Sequence, residues 1–214
     1  MHKFKADYLA GFMSLRYPKI LDVGCFSGQF HRALKIRHQY YGVDIDKDIV
    51  DYMNGRDKSG QYRVGSAAKV PYRRSFFDVA IFSEVIEHVP KHSELKSLKE
   101  LHRVLKKNGI LFLSTPLDNW LSKLLDPAFW LIGHRHYEAK EVISMLEKAG
   151  FEILIVREIG SFWHSLGHLI ELTFKHLNLG SPTRLIKYFE GNSERLLRSA
   201  DNGYLSVIII AKKL

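Results

Sequence analysis

The chain has 214 residues, with 32 Lys or Arg against 23 Asp or Glu, for a formal net charge of +9. That length is enough for one domain with a full core. The single cysteine, Cys25, excludes a disulfide framework and a cysteine-based zinc finger.

The N-terminal MHKFKADYLA is charged and has no apolar signal core, and no apolar run approaches the roughly 20 residues that span a bilayer. A reducing, cytoplasmic compartment is therefore expected. The positive charge favours anionic partners in general, but no helix or tail gathers it into a dense run.

Residues 3–16 carry Phe4, Tyr8, Leu9, Phe12 and Leu15 at helical spacing, predicting a helix that ends at Tyr17-Pro18. Residues 19–23 read as a short buried strand, and a helix follows over about 28–36. Tyr40–Asp44 is a second strand, and Asp46 or Lys47 starts the next helix. Residues 54–60 are polar and turn-rich, 61–64 form a weak third strand, and 65–75 form a loop containing Pro71. Phe77–Ser83 is strongly apolar and predicts a fourth strand. Ser93–Lys107 is an amphipathic helix with the stripe Leu95, Leu98, Leu101, Val104 and Leu105, ended by Asn108-Gly109. Residues 110–114 make a fifth strand, stopped by Thr115-Pro116. Residues 138–148 make a helix closed by Gly150, and 151–157 and 204–211 are the last two strands.

This alternation predicts a single α/β domain over residues 1–214, with a doubly wound, mostly parallel sheet. Two segments exceed that unit, at about 117–133 and 161–203. The second opens with Phe162, Trp163, Leu166, Leu169, Ile170 and Phe174 at helical spacing. That stripe reads as core packing, as a lid or wall over an apolar substrate, or, with only moderate basic character to support it, as a membrane-surface helix. Ligands of such sheets bind beyond the carboxyl ends of the strands. The ends of strands one, two and four are therefore the places to look for chemistry: Asp22 to Gly24, Asp44 and Ser83.

Lys19–Phe30 is a strand, glycine turn and helix start, which brings bare backbone against a nucleotide-like ligand. Gly24 and Gly28 permit close approach, and the Asp22 carboxylate can bind an ammonium or brace the loop. The nicotinamide fingerprint needs a glycine where Phe26 stands, so a nicotinamide oxidoreductase is disfavoured. Asp44 ends a Gly-Val-Asp strand, where a carboxylate can accept hydrogen bonds from both hydroxyls of a ribose.

These residues resemble motif I and the second motif of the class I S-adenosylmethionine-dependent methyltransferases. Phe26 departs from the usual D-x-G-x-G-x-G and narrows the loop. Gly65-Ser66-Ala67 resembles the family's Gly-Asp-Ala at adenine, with Ser66 in the aspartate's place, and Phe76–Pro116 looks like its fourth and fifth strands. The resemblance implies a Rossmann-like seven-stranded sheet whose antiparallel last strand lies between strands five and six. It implies S-adenosylmethionine as cofactor and S-adenosylhomocysteine as product. The cofactor would be held by Asp22, Gly24, Cys25, Phe26, Gly28, Asp44, Ile45, Ser66, Ala67 and Ser83, with Ile45 against adenine.

Glu84, Glu87 and His88 follow the fourth strand. In a helical turn they share one face. Neutral His88 can then take a proton from an acceptor, with Glu84 or Glu87 orienting its ring. Alternatively, two carboxylates and an imidazole can hold one divalent metal. The E-x-x-E-H spacing resembles the ubiquinone-biosynthesis O-methyltransferases and the small-RNA 3′-terminal 2′-O-methyltransferases. The second group adds a downstream histidine, for which His136 in Gly133–Glu138 is the candidate. The catalytic set is thus His88, Glu84, Glu87 and His136. The metal-free version is preferred because it asks fewer residues to converge. The expected acceptor is an oxygen nucleophile on an apolar or lipid-linked small molecule. The alternatives are an RNA acceptor or a non-catalytic protein that binds S-adenosylmethionine.

Overall fold

A computed structural model describes residues 2–13, 15–125, 133–160, 174, 203 and 205–214. The expectation of a lid carrying Phe162, Trp163 and Leu166 falls on residues outside that set.

Seven strands form one sheet in the order β3-β2-β1-β4-β5-β7-β6. They are β1 (Lys19–Val23), β2 (Gln39–Asp44), β3 (Gly60–Val64), β4 (Phe77–Ser83), β5 (Leu105–Pro116), β6 (Phe151–Ile159) and β7 (Ser206–Lys213). The pairs β1–β2, β1–β4, β2–β3 and β4–β5 are parallel. β7 runs antiparallel to both β5 and β6, in the slot expected of the last strand. The helices are α1 (His2–Phe12), α2 (Gln29–Ala33), α3 (Lys47–Arg56), α4 (Glu94–Val104), α5 (Trp120–Leu125) and α6 (Ala139–Lys148).

The central strands read as unbroken apolar runs because both faces of the sheet are covered. In β4, Val79 and Ile81 pack with Ala6 and Leu9 of α1 and Phe30 of α2. Ala80 and Phe82 alternate to the other face, against Leu98, Leu101 and Val104 of α4 and Val142 and Leu146 of α6. A smaller cluster joins Val50 and Met53 of α3 to Cys25, Tyr40 and Tyr62. Among the described residues, no helix is long and apolar enough to cross a membrane.

Two boundaries differ from the sequence expectation. α2 ends at Ala33 rather than near residue 36, because Leu34 is already extended. α4 ends at Val104 rather than Lys107, and Leu105 is extended and pairs with Phe77 at the start of β5. Leu105 continues the helical stripe equally well in sequence. What separates helix from strand is distant: the Lys213 ammonium donates to the carbonyls of His102 (2.6 Å) and Leu105 (2.8 Å). A cation there satisfies C-terminal carbonyls and opposes the helix dipole.

Candidate active site

At the carboxyl end of β1 the chain leaves the sheet under tight control. The N–H groups of Gly24 and Cys25 both donate to the Val43 carbonyl, at 2.8 and 3.2 Å. Gly24 (φ +75°) and Gly28 (φ +69°) take the left-handed conformation that glycine permits. A side chain on Gly28 would meet the Met53 methyl at 2.6 Å, so that glycine lets α2 approach α3. Phe26 also has positive φ, and its N–H donates to Asp44 Oδ2 at 2.9 Å. The other Asp44 oxygen accepts from the Asp46 N–H at 3.1 Å. Asp44 thus fastens the β1 loop to the β2–α3 turn.

A cavity of about 240 Å³ opens against this loop and is lined by His2, Asp22, Gly24, Cys25, Phe26 and Ser83, among others. Asp22 is 4% exposed, and its described hydrogen-bond donor is the Tyr40 hydroxyl at 2.5 Å. Burial pushes the Asp22 carboxyl up to about 7, opposed by the Tyr40 hydrogen bond and reinforced by the Asp44 charge. Burial also pushes the Cys25 thiol above its ordinary range, which makes it inert as a nucleophile. Ile45, 76% exposed, and Phe26, 60% exposed, leave two apolar faces open on either side of Asp44 in the chain. Gly28, Asp44, Ile45, Ser66 and Ala67 are not among the residues lining this cavity: Ser66 pairs with Lys69 in a short antiparallel bridge, and Ala67 is packed in the core.

The residues after β4 do not form the helical turn that would put Glu84, Glu87 and His88 on one face. Glu84 has φ +56°, and its N–H donates to the Ser114 carbonyl at 2.9 Å. Glu84 accordingly stands outside the group that Glu87 and His88 form with His134. The Glu84 carboxylate accepts from Lys5 Nζ at 2.6 Å and from the Ser114 hydroxyl at 2.8 Å. Burial alone would raise the Glu84 carboxyl. The Lys5 charge and these hydrogen bonds outweigh burial and hold it below the usual carboxylate range.

Glu87 is 3% exposed, and Oε2 accepts from the Thr115 hydroxyl at 3.0 Å. Its Oε1 is buried with no hydrogen-bond partner among the described residues, and His134 Nε2 lies 3.7 Å away. Burial and the Glu84 charge drive the Glu87 carboxyl well above its usual value. The Nε2 atoms of His88 and His134 are 3.2 Å apart. Glu87, His88 and His134 therefore offer one oxygen and two nitrogens within 4.8 Å of one another. That set can pass a proton along a short path. It also suits a borderline divalent ion better than Mg²⁺.

His136 takes a different position from the one expected of a fourth ligand. Its Nδ1 lies 3.1 Å from the Leu117 carbonyl and 3.2 Å from the Ser122 hydroxyl. His134, two residues earlier, occupies the place by Glu87 and His88. Sequence reasoning also passed over Lys5, which is 2% exposed and reaches Glu84 and the Ser83 and Ser114 hydroxyls from α1. One signal was available: Lys5 precedes Leu9 by four and Phe12 by seven, which puts it within the apolar stripe.

A family model described as a methyltransferase domain matches residues 21–113. The chain is 29% identical over 158 residues to a probable S-adenosylmethionine-dependent methyltransferase of Mycolicibacterium smegmatis, covering 73% of this chain and 59% of the relative. It is also 29% identical to a ubiquinone biosynthesis O-methyltransferase of Xanthomonas oryzae pv. oryzae, covering 54% of this chain and 50% of the relative. The chain thus spans little more than half the length of these curated relatives. Among solved structures, the [4+2]-cyclase SpnF superposes with a TM-score of 0.71 at 20% identity, over 99% of this chain and 81% of that one. At that identity the likeness concerns the fold alone. Over residues 21–113 the chain thus matches a methyltransferase domain, and the named relatives and the sheet order agree with that match.

Proposed function

We propose that the chain transfers the methyl group of S-adenosylmethionine to an oxygen nucleophile on a small, apolar or lipid-linked acceptor. The observation that carries this reading is the His88–His134 pair backed by buried Glu87, just past Ser83 at the cavity. A base is needed only where the nucleophile arrives protonated, as an alcohol or phenol does. His88 is exposed and so within reach of an acceptor. In this reading His88 takes the hydroxyl proton, His134 shares it, and Glu87 fixes the orientation of the pair. The cofactor supplies an activated sulfonium methyl when bound. Asp22 and Phe26 at the cavity suit an ammonium and an apolar ring, and Asp44 and the exposed Ile45, at the end of the neighbouring strand, would take the ribose and adenine. A relative named for ubiquinone biosynthesis supports an oxygen acceptor. The exposed Trp120 and Leu124 of α5 support an apolar one.

The test is S-adenosylhomocysteine release from S-adenosylmethionine in the presence of a catechol with an apolar tail, or of a short RNA. Turnover on the catechol, falling about 10²–10⁴-fold in His88→Ala, is expected. Turnover on the RNA alone would replace the acceptor class. Tight S-adenosylhomocysteine binding with no turnover on any acceptor would favour a non-catalytic binding protein.

A further inference from the structure

We propose that Arg135 is a positioning residue of this site: its guanidinium locks the turn after β4 and thereby holds His88 against His134. The proposal rests on the methyl-transfer reading for its catalytic consequence, but not for its geometry.

The turn at 86–89 has little means of holding itself. Its backbone includes a His88 N–H to Val85 carbonyl bond of 2.9 Å. No backbone N–H among the described residues reaches the carbonyls of Ile86, Glu87 or Val89. Those residues are 0%, 3% and 8% exposed, so their carbonyls need partners from elsewhere. Arg135 supplies all three. Nε donates to the Glu87 carbonyl at 3.1 Å, and Nη2 donates to the Ile86 carbonyl at 3.2 Å and to the Val89 carbonyl. Nη1 pairs with the Glu94 carboxylate in the first turn of α4. The Tyr137 hydroxyl adds a bond of 3.3 Å to the Ile86 carbonyl.

The consequence lies one residue before Arg135. His134 and His88 are 46 positions apart in the chain, yet their rings stand 4.6 Å apart. Each ring belongs to a segment that Arg135 bonds or contains. The backbone of His134 continues into Arg135, whose side chain is bonded to the turn that carries His88, so one guanidinium links the two segments that bear the rings. Lysine cannot repeat this, because a compact ammonium with three donors does not span three carbonyls and a carboxylate as a planar five-donor fork does.

The experiment compares the full chain with Arg135→Lys and Arg135→Gln. Melting and S-adenosylhomocysteine calorimetry report whether each variant folds and binds. In histidine-labelled protein, a ring-to-ring nuclear Overhauser cross-peak between His88 and His134 should be present in the parent. It should be lost in both variants while S-adenosylhomocysteine affinity stays within about twofold. With the tailed catechol, kcat should fall about 10–100-fold with acceptor KM little changed, the pattern of a misplaced group. Guanidinium ion should restore part of kcat in Arg135→Ala. If loss of Arg135 unfolds the chain, Glu94→Gln loosens one anchor of the same guanidinium and should weaken the cross-peak. A cross-peak that persists unchanged in a folded variant overturns the proposal. Absence of turnover in the parent would count against the methyl-transfer reading and leave the cross-peak to decide this one.

Discussion

Lys5 and Glu84 lie 79 positions apart in sequence and 2.6 Å apart in space. The ammonium is almost fully buried, whereas a third of the Glu84 side chain meets solvent. Removing one partner of a buried pair strands the other, at about 3–5 kcal/mol when both are inside.

Lys5→Met should therefore lower stability by about 2–3 kcal/mol, the partial exposure of Glu84 reducing the effect. Adding Glu84→Gln should recover part of that loss, since no charge is then left unpaired. Urea unfolding of the two single variants and the double variant measures the coupling. Strict additivity would show that the ion pair with Glu84 contributes nothing and that Lys5 acts through its packing and its bonds to Ser83 and Ser114.

Asp22 predicts a pH dependence of opposite sign to that of most carboxylates. Its folded pKa of about 7 lies above the unfolded value near 4, so the folded state holds the proton longer. Its contribution is neutral below about pH 4 and increasingly destabilising as pH rises to about 7, reaching roughly 4 kcal/mol. Asp22→Asn should remove that slope. Unfolding free energies of parent and variant, compared from pH 4 to 8, should diverge upward for the variant. Parallel curves would contradict the raised pKa.

Asp44→Ala should weaken S-adenosylhomocysteine binding by about 1.5–3 kcal/mol through lost hydrogen bonds to a charged acceptor. The same change frees the Phe26 N–H and should loosen the glycine loop, seen as faster amide exchange at residues 24–28. Calorimetry showing unchanged affinity would remove Asp44 from the cofactor site.

Under the metal-free mechanism, a chelator should leave catechol turnover unchanged. The donor set of Glu87, His88 and His134 makes the contrary outcome specific: loss of activity restored by Mn²⁺ or Zn²⁺ more readily than by Mg²⁺. Glu87→Gln would then abolish the restoration.

The middle of the sheet was legible in the sequence because its strands are buried on both faces and alternate with helical stretches. Val79 to Phe82 admits little else. The cavity residues were legible for a related reason. Asp22, Gly24 and Ser83 sit at the ends of adjacent parallel strands, and topology alone brings such ends together. What the sequence did not disclose depends on partners far along the chain. The turn of Glu84 follows from Ser114 and Lys5, the end of α4 from Lys213, and the choice of His134 over His136 from the carbonyl of Leu117 and the hydroxyl of Ser122. Local spacing carries no record of these contacts.

The placement of β7 between β5 and β6 imposes an order on folding during synthesis. A ribosome delivers β1 to β6 first, and until residues 206–213 emerge, β5 and β6 have no shared partner. For that interval β5 presents an open edge, with the backbone groups of residues 110–116 that later pair with β7 unpaired on that side. Such an edge is a template for another chain. Nascent chains stalled before residue 206 should be strong clients for chaperones that bind exposed strands.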